Sequence, residues 1–522
     1  MLEKISDKKI DILFVRIGGI DKTRYGIRGT VECKLIEPIG PEFCVAYLRY
    51  KGAFASIYDL SLHLDEDKAI KYIVDLQPSI LGFSILYSHM MDDSYRFIAK
   101  LRKEGLKSHI TIGGTYPTLN ADEVLRNFYH IDSVVRVEGE ITCHDLLRAV
   151  KGEIRLSDVE GLSYKLGKHV VHNSPRPLIE NLSEMPFPSR DDFDAYTSLG
   201  GIVQIHSSRG CHANCSFCST AAFYRKAPGN KWRSRNASNV VDEIELLLKQ
   251  SPTNEIWFTD DNFIGPGEIG NERAKLIAEK IIKRGLDIKF IIQSRADNLR
   301  VDTIRKLKKA GLRKVYIGIE SGIDSCLKTF NKKTTALQNA SALKLLENEE
   351  VFAELGFIGF DPFTTVEDFS KNVDFLTEIC GKSEYIHLFA FDMLLPYRGT
   401  PISDFLLKSN KAVENGIDYQ SVISDQRINL AWRLTDNLLV QLGLATERIK
   451  ALIIGDDSRE DAKHCIRLKN EAMLGCLNEV RNNIFQNEEI IYSDKHSIVV
   501  FIYLSVAKLN SAMDEICSKY NR

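Results

Sequence analysis

The chain has 522 residues, which is too long for one hydrophobic core and predicts about three domains. Its 69 Lys and Arg residues nearly cancel its 71 Asp and Glu residues, so no overall field favours nucleic acid or an anionic membrane as a partner. The sequence has no apolar run of about 18 residues and no hydrophobic leader, and we therefore expect a cytoplasmic protein.

Short apolar strands alternate with amphipathic helices through the first part of the chain. The strands are predicted at residues 10–15, 55–60, 80–84, 110–114 and 132–137. This alternation is typical of a doubly wound parallel sheet, whose ligands lie beyond the carboxyl ends of the strands. We therefore expect a Rossmann-like domain over residues 1–160. Its candidate ligand loops are residues 18–29, 86–92, 113–118 and 138–140.

A polar stretch with several prolines follows at residues 161–198. It contains Pro175, Pro177, Pro186 and Pro188, and it predicts a hairpin and a linker between two folded units.

A second alternating series occupies residues 199–401. Its strands are predicted at residues 202–206, 255–258, 288–293, 315–320, 354–360 and 385–394. Five helical patterns separate them, and Ser238 is the expected N-cap of the first helix. Six such units predict a partial (β/α)6 barrel, in which the chemistry lies on the loops that follow the strands.

The last part of the chain, residues 402–522, is expected to be mainly helical. Helices are predicted within residues 422–443, 461–485 and 505–520. No catalytic spacing is visible there, and packing against the barrel, including cover for its mouth, is the expected role.

Three cysteines follow the first barrel strand. Cys211, Cys215 and Cys218 are separated by three and then two residues. Three thiolates can hold an iron-sulfur cluster and leave its fourth iron open, whereas four would close it. The alternative is a structural zinc site, for which His212 would supply a fourth ligand. The other cysteines are scattered singly, as expected for small buried residues: Cys33, Cys44, Cys143, Cys326, Cys380, Cys465, Cys476 and Cys517.

The cysteine spacing, the aromatic Phe217 before the last cysteine and the barrel pattern together resemble the radical S-adenosylmethionine (SAM) superfamily. The resemblance implies that the three cysteines bind a four-iron four-sulfur cluster whose open iron chelates SAM. It also implies that an electron from the cluster cleaves SAM to methionine and a 5′-deoxyadenosyl radical.

Polar strand ends then correspond to the family's SAM contacts. The resemblance assigns Asp260, or as second choice Asp261, to the amino group of SAM, and Ser294 and Arg295 to its ribose and carboxylate. Glu320 is a further candidate, with an ion pair to Arg295 as the alternative. The segment with Phe357 and Gly359 resembles the apolar shelf and backbone that hold the adenine, although core packing explains Phe357 equally well.

The first domain resembles the cobalamin-binding module of one large subgroup of these enzymes. Glycines let backbone approach a flat ligand, and hydroxyls can bind a nucleotide tail. The candidate cobalamin contacts are Arg24, Tyr25, Ser84, Leu86, Gly113, Gly114, Thr118, Glu138 and Gly139.

One departure concerns the lower face of cobalamin. Modules that supply a histidine ligand use Asp-x-His-x-x-Gly after the second strand, but residues 59–63 lack a histidine at that place. The lower ligand is therefore unassigned, with Arg24, Tyr25 and residues 87–91 as the regions of interest. His89 could be a ligand or a solvated loop residue.

The leading hypothesis is a cobalamin-dependent radical SAM enzyme that methylates an unactivated carbon in a small natural-product or cofactor precursor. An external electron donor such as flavodoxin or ferredoxin is implied, and a short peptide is the alternative substrate. A second hypothesis is a ring closure or rearrangement with cobalamin auxiliary or absent. A third is a sensor without turnover. A methylthiotransferase would need a second cysteine-ligated cluster, for which the first domain offers no convincing ligands.

Overall fold

The computed structural model describes residues 10–17, 36–251, 253–416, 418–455, 458–486 and 492–519. Within these ranges the chain forms two helix-covered parallel sheets and a helical C-terminal region. None of the helices in the described ranges is long and apolar enough to cross a membrane.

The first sheet is doubly wound. Its parallel strands are β1 (Ile12–Arg16), β2 (Ala55–Asp59), β3 (Ile80–Ser84), β4 (His109–Gly113) and β5 (Ser133–Val135). They lie in the order β2-β1-β3-β4-β5. The strand order reverses between β1 and β3, and the crevice beyond that point is where such sheets bind ligands.

Helices cover both faces of this sheet. They are α1 (Ile39–Tyr50), α2 (Glu66–Leu76), α3 (His89–Lys103), α4 (Thr115–Leu119), α5 (Ala121–Asn127) and α6 (Gly139–Val150). Leu13 and Val15 of β1 pack with α2, α3 and α5, whereas Ile12 and Phe14 pack with α1 and α6. Successive strand residues point to opposite faces, so burial of both faces explains the continuous apolar runs.

The predicted hairpin is present, but it continues the first sheet. Strand β6 (Leu162–Leu166) pairs antiparallel with β5, and β7 (His169–His172) pairs antiparallel with β6. The hairpin thus covers an edge that β5 would otherwise leave open. The sheet extends beyond the expected boundary at residue 160, and the connection to the barrel starts after His172. That connection contains a 3-10 turn (Leu182–Glu184) and α7 (Phe193–Ser198).

The second sheet is the partial barrel that the sequence predicts. Its strands are β8 (Val203–Ile205), β11 (Glu255–Phe258), β12 (Lys289–Arg295), β13 (Leu312–Glu320), β14 (Phe352–Phe360), β15 (Ile386–His387) and β16 (Asp392–Met393). All pairings are parallel, in the order β8-β11-β12-β13-β14-β15, and β16 also pairs with β14. A small antiparallel pair, β9 (Ser208–Gly210) and β10 (Trp232–Ser234), follows the first barrel strand.

Helices connect the barrel strands. They are α8 (Ser219–Tyr224), α9 (Ala237–Leu248), α10 (Gly267–Lys283), α11 (Val301–Lys309), α12 (Asp324–Thr329), α13 (Ala336–Asn348) and α14 (Val366–Cys380), with a 3-10 turn at Ala296–Asn298. The expectation that Ser238 caps α9 is wrong. The cap is Asn236, whose side chain accepts a hydrogen bond from the backbone N–H of Asn239, and Ser238 lies inside the helix.

The C-terminal region is mainly helical, as expected. It consists of α15 (Pro401–Lys408), a hairpin of β17 (Ala412–Asn415) and β18 (Asp418–Ser421), α16 (Gln426–Gln441), α17 (Gly443–Ile454), α18 (Arg459–Gln486) and α19 (Tyr492–Ser518). Helix α18 packs against α14, α16, α17 and α19. The apolar side chains of these helices join the barrel core in one cluster.

Buried charges fix the first domain against the barrel. Arg190, in the connection between them, forms ion pairs with Glu37 of the first domain and with Glu243 of α9. All three side chains are almost fully buried. Such a network holds only while every charge keeps its partner, because an unpaired buried charge is strongly destabilising.

Candidate functional site

The strand β9 leads directly into the cysteine loop, and its last residue needs to be glycine. Gly210 has a φ of +78°, and a Cβ atom there would collide with the carbonyl oxygen of Lys231. Its backbone N–H donates to Asp261 Oδ2 at 3.0 Å. The entry to the loop is thereby fixed both to β10 and to the end of β11.

The three cysteines occupy the loop between β9 and α8. Cys215 is buried, whereas Cys211 and Cys218 are half-buried. Burial raises the pKa of the Cys211 thiol and raises that of Cys218 to about 11. Both are therefore protonated at neutral pH, and binding of iron as thiolates requires that these protons are released.

The three thiols do not form a ready-made site for a single metal ion. In the described part of the chain, no three His, Cys, Asp or Glu side chains converge closely enough to hold one metal ion. Thiolates on three corners of a cluster do not have to converge in that way, because each binds a different iron. His212 lies instead against the side-chain amide of Asn262, with Nδ1 at 3.3 Å from Nδ2.

Asn262 is a polar neighbour of the cluster loop that the sequence analysis missed. Its Nδ2 lies 3.9 Å from Cys211 Sγ and donates to Asn298 Oδ1 at 2.9 Å. The side chain is fully buried, and its Oδ1 has no hydrogen-bond partner. A buried polar atom without a partner next to the cysteines is suited to a ligand. The feature of the sequence that could have identified Asn262 is its position directly after two carboxylates, Asp260 and Asp261, that follow a strand.

The two neighbouring carboxylates have different surroundings. Asp260 is 1% exposed and accepts from the hydroxyl groups of Ser207 and Ser208. Asp261 accepts from Gly210 N and from Thr220 Oγ1 at 3.0 Å, and its residue is exposed. Burial among surrounding protein nevertheless raises the pKa of Asp261. Asp261 is thus accessible to a ligand, whereas Asp260 is buried against the start of β9.

Arg295 lies beside the cluster loop. Its Nη1 donates to Cys215 Sγ at 3.4 Å, and its other nitrogen atoms bind Asp297 at 2.9 and 3.0 Å. The alternative ion pair between Arg295 and Glu320 is wrong, because Glu320 pairs with Lys332 at 2.8 Å. Ser294 is buried, and its hydroxyl donates to the carbonyl oxygen of Arg295 at 3.3 Å.

The aromatic candidates pack into apolar clusters. Phe217 lies edge-on to Phe330, with ring centroids 5.6 Å apart. Phe357 is 2% exposed and stacks with Phe391 at 5.5 Å. Of the two alternatives for the Phe357 side chain, core packing is the one observed, and the adenine contact of this segment stays a prediction for its backbone. Gly359 has no room for a Cβ atom because the Phe391 ring lies against it.

The first-domain loops reach the cluster loop. Leu86 and Thr115 line a narrow crevice together with Ser219, the residue that follows Cys218. Leu86 is 49% exposed, and Ser84 is half-buried at the end of β3. Loops that the sequence assigns to cobalamin and the loop that it assigns to the cluster therefore share one opening.

Tyr87 extends this opening toward the barrel. Burial and the nearby carboxylate of Asp261 raise the pKa of its phenol. Its ring stacks on His89 at 5.5 Å, at the start of α3. The pKa of Tyr316, on β13, is raised in a similar way by burial and then by Glu320. Tyr87 thus lines the crevice and also lies near the carboxylate of Asp261.

Other cobalamin candidates have internal roles. Gly114 has a φ of +99°, and a Cβ atom there would collide with the backbone of Ile85, while one at Gly113 would lie 3.3 Å from the carbonyl oxygen of Val135. Thr118 is 3% exposed, and its hydroxyl accepts from Val137 N at 3.0 Å. The oxygen of Thr118 is thus engaged inside the domain, and its contact with cobalamin stays a prediction.

The loop after β5 contacts the barrel. Glu138 binds Arg209 at 3.1 Å and Arg233 at 2.8 Å, so its carboxylate holds barrel residues. Gly139 lies against the buried thiols of Cys44 and Cys143. The assignment of Glu138 and Gly139 to cobalamin stays a prediction. Arg24 and Tyr25 lie outside the described residues.

Comparison with known proteins agrees with this arrangement. The family model "Radical SAM superfamily" matches residues 205–376, and the model "B12 binding domain" matches residues 35–147. An uncharacterized methyltransferase of Pyrococcus horikoshii is 31% identical over 72% of this chain and 79% of its own length. An anaerobic magnesium-protoporphyrin IX monomethyl ester cyclase of Rubrivivax gelatinosus is 30% identical over 62% of this chain and 58% of its own length.

A solved structure shows the same fold. The cobalamin-dependent S-adenosylmethionine radical enzyme OxsB, with aqua-cobalamin and S-adenosylmethionine bound, matches with a TM-score of 0.74 and 19% identity. The match covers 98% of this chain and 80% of OxsB. The family resemblance is thus confirmed, and this chain belongs to the radical SAM superfamily, among the enzymes that carry a B12-binding domain and use a four-iron four-sulfur cluster, SAM and cobalamin.

Proposed function

We propose that the protein transfers a methyl group to an unactivated carbon of a small natural-product or cofactor precursor. The observation that carries this proposal is the crevice in which Leu86 and Thr115 of the first domain meet Ser219 beside the cysteine loop. A methyl donor in the first domain and a radical source at the cysteines would both reach a substrate placed there. The relative from Pyrococcus horikoshii, which is named a methyltransferase, supports the same reaction.

In this proposal Cys211, Cys215 and Cys218 hold the cluster, and Asp261 binds the amino group of SAM. When bound, the cluster supplies the electron that cleaves SAM, and cobalamin supplies the methyl group. Asp261 suits an ammonium because its residue is exposed and its carboxylate is oriented by the Gly210 N–H at 3.0 Å. Asp260, our first choice from the sequence, has its oxygen atoms engaged by Ser207 and Ser208.

Arg295 and Asn262 support the cluster loop. The guanidinium places positive charge 3.4 Å from Cys215 Sγ, which favours a thiolate and an added electron. The buried amide of Asn262 fixes the side of the loop near Cys211. The protein thus supplies oriented polar groups that need no rearrangement when charge at the cluster changes.

The substrate would lie between Tyr87 and Tyr316. Val315, Ile317 and Ile319 of β13 pack in the core, so Tyr316 points to the opposite face, into the barrel. A phenol whose pKa is raised stays protonated and donates a hydrogen bond to an acceptor on the substrate. We therefore propose that the substrate is a polar small molecule. An external electron donor such as flavodoxin or ferredoxin would reduce the cluster.

The test uses anaerobically reconstituted protein with hydroxocobalamin, dithionite and methyl-labelled SAM, and a panel of small polar metabolites. Methyl transfer predicts equal amounts of 5′-deoxyadenosine and S-adenosylhomocysteine for each labelled product. Labelled product should disappear when cobalamin is omitted. Turnover that continues at the same rate without cobalamin would refute the proposal.

A second candidate reaction is favoured by the relatives named cyclases, one of them 30% identical to this chain. A ring closure or rearrangement would use the same cluster and SAM but would leave the methyl group of SAM in methionine. The same assay distinguishes the two, because 5′-deoxyadenosine would then form without S-adenosylhomocysteine and without label in the product.

A further inference from the structure

A buried network of charges connects the first domain to the strand that leads into the cysteines. Glu138 Oε1 accepts from Arg209 Nη1 at 3.1 Å and from Arg233 Nη1 at 2.8 Å. Arg209 also donates from Nη2 to Glu140 Oε1 at 2.6 Å. The four side chains are between 2% and 11% exposed, so water does not replace a lost partner.

The two arginines belong to the entry of the cluster loop. Arg209 on β9 and Arg233 on β10 lie directly opposite each other in the antiparallel pair. Arg209 is separated from Cys211 only by Gly210. Its guanidinium also lies over the ring of Phe43 on α1, 4.8 Å from the ring centroid. A movement of this guanidinium would therefore move the backbone that carries the first cysteine.

The two glutamates lie at the start of α6 in the first domain, Glu138 in the preceding loop and Glu140 in the first turn. Glu138 is the residue before α6, in the loop after β5, and such loops at the carboxyl ends of parallel strands hold the ligand of the sheet. Its Oε2 accepts from Ile179 N at 2.7 Å, so the carboxylate also fixes the connection to the barrel. Burial would raise the pKa of Glu138, but Arg209 and Arg233 more than offset this effect and lower the pKa. The side chain is thus an anion at neutral pH.

We propose that Glu138 is a positioning residue through which cobalamin in the first domain and the cluster in the barrel favour each other's binding. Cobalamin that orders the loop after β5 fixes Glu138 and thereby Arg209. A cluster that orders residues 211–218 fixes Arg209 from the other side. Coupling between two binding equilibria is reciprocal, so each cofactor raises the affinity for the other by the same factor. The inference depends on the two cofactors and not on methyl transfer.

The experiment measures the affinity for hydroxocobalamin by fluorescence quenching, using the full chain before and after anaerobic cluster reconstitution. For the unchanged protein we expect binding to be about fivefold tighter, or more, after reconstitution. For Glu138→Gln we expect the two affinities to agree within about twofold, since one neutral amide cannot hold two guanidinium groups.

Glu123→Gln is the matched control. Glu123 also joins the first domain to the barrel, through Arg398 at 2.7 Å, but it contacts neither β9 nor β10. Cluster reconstitution should therefore raise the affinity of this variant for hydroxocobalamin as much as it does for the unchanged protein. The inference is overturned if the unchanged protein shows no difference, if Glu138→Gln keeps it, or if Glu123→Gln loses it equally.

A second variant covers the case in which Glu138→Gln does not fold. Glu140→Gln removes one of the two carboxylates that hold Arg209 and leaves Glu138 in place. We expect it to reduce the difference in affinity, and an unchanged difference would overturn the inference. Because no catalytic product is measured, the result is independent of whether the proposed methyl transfer occurs.

Discussion

Arg295 places its Nη1 atom 3.4 Å from the Sγ atom of Cys215, and Asp297 holds the rest of the guanidinium with two hydrogen bonds. The arginine is thus rigid and directs its positive charge at one cluster ligand. A fixed charge at this distance favours the state of the cluster that carries an additional electron, since attraction between charges is strong where water is excluded.

We therefore expect Arg295→Met to lower the reduction potential of the cluster by about 60 mV, which corresponds to a tenfold change for one electron. The ratio of reduced to oxidised cluster at a fixed solution potential should fall by about tenfold. Arg300→Met is the control, because Arg300 donates to the backbone carbonyls of Asp297 and Leu299 and not to a cysteine. The measurement is a potentiometric titration monitored by electron paramagnetic resonance. Equal reduction potentials for the two variants would contradict the prediction.

The neighbouring carboxylates give a second prediction. Asp261→Asn should raise the KM for SAM by about tenfold or more, because a charge-assisted hydrogen bond contributes about 1.5–3 kcal/mol. Asp260→Asn should mainly lower the Tm, since the buried carboxylate accepts from Ser207 and Ser208. SAM cleavage kinetics and thermal unfolding of both variants separate the roles. If Asp260→Asn raised the KM for SAM more than Asp261→Asn did, at an unchanged Tm, Asp260 would be the residue that binds the amino group of SAM.

The cluster assignment is tested by removing one thiol. Cys215→Ala should lose the visible absorbance of the cluster and most of the bound iron. It should also lose cleavage of SAM to 5′-deoxyadenosine. Cys326→Ala is the matched control, because this half-buried cysteine lies outside the three-cysteine spacing. It should retain both iron and cleavage. Cleavage that survives in Cys215→Ala would refute the assignment.

A prediction about stability concerns the barrel interior. Glu354 of β14 forms a buried ion pair with Lys314 of β13, and the charges of Lys450 and Lys469 also face it. Burial would raise the pKa of Glu354, but these lysines more than offset it and lower the pKa. Because the folded-state pKa lies below the unfolded value, the stabilisation is complete at neutral pH and is lost as acidification protonates the carboxylate.

Glu354→Gln should therefore destabilise the protein by about 3–5 kcal/mol at neutral pH, because it leaves a buried charge without its partner. Glu367→Gln removes the exposed pair with Lys371 at 2.7 Å and should cost less than about 1 kcal/mol. Thermal unfolding at neutral pH compares the two. Equal Tm values would show that the buried pair does not stabilise the barrel.

The architecture could be predicted because periodicity is a property of each segment by itself. Continuous apolar strands followed by amphipathic helices appear in the sequence without knowledge of any partner, and the cysteine spacing is equally local. The hairpin at β6 and β7 shows the limit of such reasoning. Its turn signals were visible, but the free edge of β5 that it pairs with was not.

The roles of individual side chains were harder to predict, since they depend on contacts between distant segments. Glu138 follows a first-domain strand, as a cofactor ligand would, but its partner Arg209 is 71 residues away along the chain. Phe357 lies near the carboxyl end of β14, and its side chain packs in the core against Phe391, a residue of a different segment. The contacts of the serine hydroxyls with Asp260 likewise come from a segment about 50 residues away along the chain.

The glycine before the first cysteine shows that a sequence motif can combine two unrelated requirements. Cys211, Cys215 and Cys218 are suited to iron by their sulfur atoms, whereas Gly210 is required by a backbone oxygen of the neighbouring strand. A redesigned barrel that copied only the three cysteines would therefore keep the donor atoms and lose the hairpin that delivers them. Grafting of this centre onto another scaffold has to transfer the β9–β10 pair together with the loop.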